Sequence, residues 1–437
     1  MPEHNSRHHR PRLLRPATVI LTALATAFSL VGFAAPVGAQ AAGPVVRSQF
    51  FGLHHAGLHV DGARGWPQTT VGSVRLWDNG VSWREIERTA GVFDWSRLDA
   101  LVAKARANGA SVMLVLGQTP RFHSTRPSAA GAYGSGASAM PRKAAWVRYV
   151  KAVARRNATQ WGNAVRLQVW NEANAIPYWS GTPRQMAVLT AWTRAALRSA
   201  NSSAELVGPA MVTRLSSQQT YIRKFYAQRV NGRNVSAYVK ALSFQLYPAA
   251  TGTPESSMAL LRQVRSILAR NNIRKPIYNT EINYGLVGGP QAGAAAKTIS
   301  TSRQVGNVIR TYVLNAQNRV KGVYWYSWDL QSMSNTPMVL GDGVTLTAAG
   351  QAFARSREWL IGSRPFGCSV ARNGVYSCGF RTSTQTRRVV WHPSKSVKVK
   401  APAGARTYTN AGGATYTTSG GSSVTVGPAP VLFRSPR

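Results

Sequence analysis

Eight short apolar runs punctuate the first three quarters of the chain, and the stretches between them change period. Residues 49–53, 73–77, 111–116, 165–170, 205–209, 241–246, 276–279 and 322–327 have the length and Val, Leu, Ile, Tyr and Trp content of buried strands. Between them, 95–108, 143–160, 184–200, 256–271 and 302–318 carry apolar residues three and four apart and are rich in Ala, Leu and Arg, the pattern of amphipathic helices. Alternation of the two predicts a parallel sheet with crossover helices, and eight such units predict a (β/α)8 TIM barrel over 45–362.

The period changes again after Leu360-Ile361-Gly362. Residues 388–391, 397–400, 407–409 and 424–426 alternate polar and apolar positions between Gly, Pro, Ser and Asn, which predicts a small C-terminal all-β sandwich over 365–437. That segment contains no Asp or Glu, so it supplies no carboxylate chemistry. Its expected role is to brace the barrel, or else to bind an envelope component. Cys368 and Cys378, the only cysteines, flank the turn signal Asn373-Gly374, and a disulfide across a hairpin is expected.

Residues 1–41 fit neither domain. Arg7, Arg10, Arg12 and Arg15 precede an apolar stretch over 17–35 and then Ala39-Gln40-Ala41, the order of a cleaved secretory signal peptide. The expected location is therefore extracellular, where a disulfide persists.

Charge narrows the candidate chemistry. The chain has 53 Lys and Arg against 14 Asp and Glu, a formal net charge of +39. Such a balance favours anionic cell-envelope polymers as partners. Nucleic acid is not expected, because the cations are spread over helix surfaces without an aromatic-interleaved cluster or a binding motif. With so few acids, each can be weighed. Glu85, Glu87, Asp94, Asp99, Glu205, Glu255 and Glu358 fall on polar faces or edges of helix-like stretches or at a strand start and read as solvated charges; Glu3 lies in the export segment, and Asp61 and Asp342 sit beside Gly in loops. Four remain that close apolar runs. Glu172 and Glu281 follow the fourth and seventh runs, and Asp78 and Asp329 follow the second and eighth. In a (β/α)8 barrel, active sites lie at the C-terminal ends of the strands, and strands four and seven face each other across the mouth. Two opposed carboxyl groups are what glycosidic bond cleavage requires, one to give a proton to the leaving oxygen and one to attack or to activate water. His54, His55 and His59, with Asp61 behind them, match no ligand spacing; a hydrogen-bonding or substrate-contacting role is expected, with no metal and no cofactor. Gly117-Gln118-Thr119-Pro120-Arg121 follows the third run and is expected to shape the same face.

The segment Trp170-Asn171-Glu172-Ala173-Asn174 resembles the strand-four Asn-Glu signature of the clan A retaining glycoside hydrolases, (β/α)8 enzymes that include the cellulase-like family 5 and the β-xylosidase-like family 39. The resemblance extends along the barrel in order, through Arg75, Tyr247, Glu281 and Trp325. It implies Glu172 as acid/base, its pKa raised by Trp170 and Tyr178, and Glu281 as nucleophile, kept ionised by Arg75 and Tyr247. It implies further that Asn171 contacts the sugar hydroxyl beside the reacting carbon and that Trp325 offers a flat face to the ring, with Trp77, Trp179, Tyr284 and Trp328 extending that platform or packing in the core. One departure is Gln245, where many clan members have His two residues before the strand-six tyrosine; a contact to the sugar is expected of it. The activity implied is hydrolysis of a β-linked oligo- or polysaccharide by a monomeric, secreted enzyme. The alternative is a non-catalytic protein that binds envelope polysaccharide, although a binder has no need of two opposed carboxylates.

Overall fold

In a computed structural model, which describes residues 42–58, 66–285, 299–329 and 335–437, the eight predicted runs are strands: β1 (Phe51–Leu53), β2 (Ser73–Leu76), β3 (Ser111–Val115), β4 (Val165–Gln168), β5 (Leu206–Val212), β6 (Ala241–Gln245), β7 (Ile277–Ile282) and β8 (Gly322–Trp325). Nearly every strand residue is buried on both faces, as a parallel sheet covered by helices demands. Each strand pairs in parallel with its neighbours in sequence, and β8 returns to β1 with Phe51 opposite Val323 and Leu53 opposite Trp325, closing the barrel. The predicted signal segment, His59 and Asp61 lie outside the described residues.

The helices are α1 (Trp83–Ile86), α2 (Ser96–Ala107), α3 (Lys143–Thr159), α4 (Pro183–Ser199), α5 (Ser216–Tyr226), α6 (Pro254–Ala269), α7 (Thr301–Gln317) and α8 (Ala348–Leu360). Their boundaries follow local chemistry. Thr182 caps α4 by accepting from the Gln185 N–H, and Pro183 opens the first turn; Thr253 and Pro254 repeat the device on α6. On α3, Trp146, Tyr149, Val150 and Val153 recur at helical spacing and are all buried.

The barrel interior is layered, and the layering sets the chemistry of its mouth. Met113, Val207, Ala241, Tyr278 and Tyr324 form a closed apolar cluster. Two residues further along β6 and β7, on the same face of each strand, stand Ser243 and Thr280, bonded to each other at 2.7 Å. Gln168 at the end of β4 donates to Ser243 at 2.6 Å, so a polar layer lies above the apolar one.

The C-terminal segment forms eight strands, β9 (Arg364–Val370), β10 (Tyr376–Arg381), β11 (Gln385–Trp391), β12 (Val397–Lys400), β13 (Thr407–Thr409), β14 (Thr415–Thr417), β15 (Ser423–Val426) and β16 (Val431–Pro436). Six make an antiparallel sheet in the order β9-β10-β11-β16-β13-β14, and β12 pairs with β15. Alternation assigns the two faces of the larger sheet. Val390, Val431 and Phe433 pack with Val424 and Val426 inside the sandwich, whereas Phe380, Val389, Trp391 and Leu432 join the barrel's own core. Cys368 and Cys378 are directly opposite each other on β9 and β10 and form the expected disulfide.

Several expectations need correction. Glu255 is not a solvated charge: it accepts from the buried Arg310 of α7 at 2.8 Å and from the Trp391 indole at 2.9 Å, tying the sheet to the barrel. Beside it, Gly306 allows the Pro428 carbonyl to approach α7 at a distance no side chain would permit. Glu87 is also buried. It collects the Trp83 indole at 2.5 Å, the Gly91 N–H at 2.7 Å, Arg148 at 2.7 Å and His123 at 2.9 Å. Burial pushes its carboxyl up, but these donors more than offset it and hold the pKa below the ordinary value. Both glutamates are polar in sequence and interior in space because large partners come from distant segments.

Candidate active site

Arg75 is the hub of the barrel mouth. It lies inside β2 with 0% exposure, a cost that only a full set of acceptors offsets. Its Nε donates to Gln168 Oε1 at 2.7 Å, its Nη2 to Asn171 Oδ1 at 2.8 Å and its Nη1 to Glu281 Oε1 at 2.6 Å. His54, at the end of β1, lies 3.1 Å from Nη1 and donates to or accepts from groups on this side, with its ring nitrogen also 3.1 Å from the Thr280 carbonyl. Burial first, and the Arg75 charge second, hold the His54 pKa well below its usual value, so the ring is neutral and adds no charge.

Glu281 is gripped from both sides. Arg75 takes Oε1, and the Tyr247 hydroxyl donates to Oε2 at 3.2 Å. The sequence reading placed Glu281 just past a strand ending at 279, but β7 continues to Ile282, and a register irregularity against β6 sets Glu281 opposite Gln245. Glu172 differs in every respect. It stands four residues past the end of β4, in left-handed backbone at φ +42°, and is half-buried. That conformation is strained for a non-glycine residue and turns the carboxyl away from the course of the strand. The Trp170 indole donates to the Tyr178 carbonyl at 3.0 Å, which fastens this turn down.

The electrostatics separate the two glutamates. Burial, then the charge of Glu281, push the Glu172 carboxyl up to about 8. Burial raises Glu281 too, but Arg75 and Tyr247 act against it and leave it at about 7. The two groups titrate as an interacting pair, and Arg75 and Tyr247, both bonded to Glu281, favour the charge on Glu281 and the shared proton on Glu172.

Asn171 and Gln245 join this network through the Asn171 carbonyl oxygen. Gln245 donates to Asn171 Oδ1 at 3.1 Å, and with Arg75 on the same oxygen the Asn171 amide is fixed with its NH2 pointing the opposite way. Gln245 is fully buried, so the expected sugar contact is replaced by a supporting one: it orients Asn171. Trp325 is corrected as well. Its ring has 0% exposure, its indole donates to the Thr336 carbonyl at 3.3 Å, and Tyr284 packs against it at 6.0 Å. It is core, as are Trp77, Trp179, Tyr284 and Trp328. A tryptophan ending an apolar strand satisfies both readings in sequence; the cover given by Tyr284 and the Thr336 carbonyl decides for burial.

Asp329 is a brace for the loop after β1, accepting from the Ala56 and Gly57 N–H groups at 3.1 and 2.6 Å and pairing with His55 at 3.2 Å. Asp78 belongs to the mouth itself. The Tyr133 hydroxyl donates to its Oδ1 at 2.8 Å and the Tyr326 hydroxyl to its Oδ2 at 3.1 Å. Neither tyrosine was singled out from the sequence: Tyr133 lies in a Gly- and Ala-rich loop with no periodicity, and Tyr326 reads as one more apolar residue of the eighth run. Among the described residues no group of three or more His, Cys, Asp or Glu side chains is placed to hold a metal ion.

No protein-family model and no curated protein matches the chain. Solved structures match it over nearly its whole length. A GH39 β-xylosidase from Caulobacter crescentus aligns at a TM-score of 0.62 and 15% identity, covering 90% of this chain and 97% of its own. A GH30 endoxylanase from Clostridium papyrosolvens C71 aligns at 0.58 and 14%, covering 92% and 98%, and a glucosidase from Croceicoccus marinus at 0.61 and 14%, covering 90% and 98%. The chain shares their fold. The expected (β/α)8 barrel of the clan A enzymes, followed by a C-terminal β domain, is the architecture observed, and family 39 is among the neighbours.

Proposed function

We propose that this protein is a glycoside hydrolase, secreted and monomeric, that cleaves a β-linked oligo- or polysaccharide with retention of configuration, with no cofactor. Glu172 is the acid/base and Glu281 the nucleophile. The observation that carries this reading is the unequal treatment of the two carboxyl groups: Arg75 and Tyr247 hold Glu281 with both oxygens engaged, while burial and the neighbouring charge keep a proton on Glu172. The known glycosidases with this fold support it.

In the first step Glu281 attacks the anomeric carbon while Glu172 passes its proton to the departing oxygen, and a glycosyl ester forms on Glu281. With Oε2 as the attacking atom, Arg75 then donates to the ester's carbonyl oxygen Oε1, and Tyr247 stays beside the oxygen that forms the bond. Glu172, now ionised, takes a proton from water, which displaces Glu281 and restores both groups. Asn171, held by Arg75 and Gln245, is oriented to donate to the hydroxyl next to the reacting carbon. The strongly basic surface favours retention on anionic envelope polymers near the substrate.

Glu172→Gln and Glu281→Gln, assayed on aryl β-glycosides and polysaccharides, test the assignment. Activity is expected to fall by at least ~1000-fold in each. NMR of the first-formed sugar is expected to show the β anomer. Full activity in both variants, or an inverted product, removes the reading.

A further inference from the structure

Asp78 is a third carboxylate at the barrel mouth, and the retaining reaction uses only two. It follows β2, three residues beyond Arg75, and is half-buried, so it is reachable from the mouth. Tyr133 reaches it from the loop before α3 and Tyr326 from the end of β8, and both are anchored: Tyr133 packs edge-on against Trp77 at 5.4 Å and lies 5.9 Å from Tyr178, and Tyr326 packs edge-on against His54 at 5.1 Å. This fixes the carboxylate from both sides while each oxygen keeps lone pairs for a further donor. A carboxylate only accepts.

The charges around it make that matter. Asp78 accepts from the phenols of Tyr133 and Tyr326 and lies within electrostatic reach of Glu172, Glu281, Arg75 and Glu85. Three carboxylates thus feel the charge of one guanidinium, and that guanidinium is fully buried with its donors committed to Glu281, Asn171 and Gln168. In a chain of 53 cations, the mouth is acidic. A sugar carrying its own carboxylate or sulfate would bring another negative charge against Asp78 and Glu281, where like charges in a desolvated site strongly oppose binding. A hydroxyl or an ammonium would meet an acceptor already in place.

We infer that Asp78 is the specificity-determining residue of this site, accepting a hydrogen bond from an O–H or N–H of the sugar at the cleavage point and excluding sugars that are acidic there. This rests on the glycosidase reading above. The protein would combine a surface suited to anionic polymers with a catalytic mouth that rejects anionic sugars. Surface binding would then address a polymer other than the one cleaved.

The test is a matched set of 4-nitrophenyl β-glycosides, comprising glucoside, xyloside, glucosaminide and glucuronide, with the wild type, Asp78→Asn and Asp78→Ser. The wild type is expected to show kcat/KM at least ~100-fold lower on the glucuronide than on the best of the other three. Asp78→Asn, which can donate as well as accept, should narrow that ratio by ~10-fold or more, and should shift the alkaline limb of the pH profile to lower pH because a negative charge facing Glu172 is gone. Preference for glucosaminide identifies an ammonium as the donor and preference for glucoside a hydroxyl; each supports the assignment. If Asp78→Asn does not fold, Asp78→Ser carries the same comparison. A wild type that cleaves glucuronide as well as glucoside overturns the inference, as does a folded variant that keeps the wild-type ratio and pH profile, and either leaves the glycosidase reading standing. A wild type inert on all four and on polysaccharides removes that reading and the inference together.

Discussion

The Tyr247 hydroxyl donates to Oε2 of Glu281 at 3.2 Å, the carboxylate oxygen that Arg75 leaves open. Replacing it with phenylalanine deletes that donor alone. Hydrogen bonds to charged groups contribute about 1.5–3 kcal/mol, so Tyr247→Phe should lower kcat by roughly 10- to 100-fold with thermal unfolding little changed. Steady-state kinetics beside a melting curve separate the two effects, and an unaltered kcat would show that Tyr247 does not act on the nucleophile.

Arg75→Met removes the charge that every polar group at the mouth is built around. Glu281, Asn171 and Gln168 are left without their donor in a buried site, and the expected loss of stability is about 3–5 kcal/mol, read from urea denaturation. Arg75→Lys keeps the charge but cannot reach three acceptors, and should recover only part of that loss.

Activity should follow a bell in pH. Glu281 must be ionised and Glu172 protonated, so the rate falls below the Glu281 pKa, near 7, and above that of Glu172, near 8. The alkaline limb should weaken for a dinitrophenyl glycoside, whose leaving group departs without a proton, and stay for a substrate with a poor leaving group. Profiles of kcat/KM for the two substrates side by side report both points.

The same shift fixes a stability trend. Glu172 loses its proton near 4.5 when unfolded and near 8 when folded, so unfolding releases a proton between those values and stability declines as pH rises through that window. Glu172→Gln has no proton to lose. Its melting temperature relative to wild type should therefore rise from pH 4.5 to pH 8 and level off beyond; a constant difference would contradict the raised value.

Glu255→Ala leaves Arg310, 1% exposed, without its carboxylate and frees the Trp391 indole. A cost of about 3–5 kcal/mol is expected, with kcat unchanged in whatever protein remains folded. Denaturation monitored by tryptophan fluorescence tests whether barrel and β domain unfold together.

The strands were legible because burial on both faces leaves a run of apolar residues that no surface element shares, and the first pair of site residues because a carboxyl group stands out against such runs. Arg75, Asn171, Tyr247 and Glu281 come together as their order along the barrel implies. Depth was not legible. Trp325 and Gln245 carry the composition of an exposed platform and a sugar contact, and only the Tyr284 ring and Thr336 carbonyl on one and the interlocked amides on the other show that both are buried. Tyr133 meets Asp78 through a loop whose path follows no periodicity, so no pattern in the sequence pairs them.

Closure of the barrel by β1 and β8 also bears on how the molecule reaches this state. Phe51 finds Val323 only after nearly the whole barrel has been synthesised, and until then one edge of β1 and one edge of β7 present unpaired backbone. Such long-range pairing slows folding and leaves an intermediate open to intermolecular strand addition, so yield of active protein should depend on chain concentration during refolding.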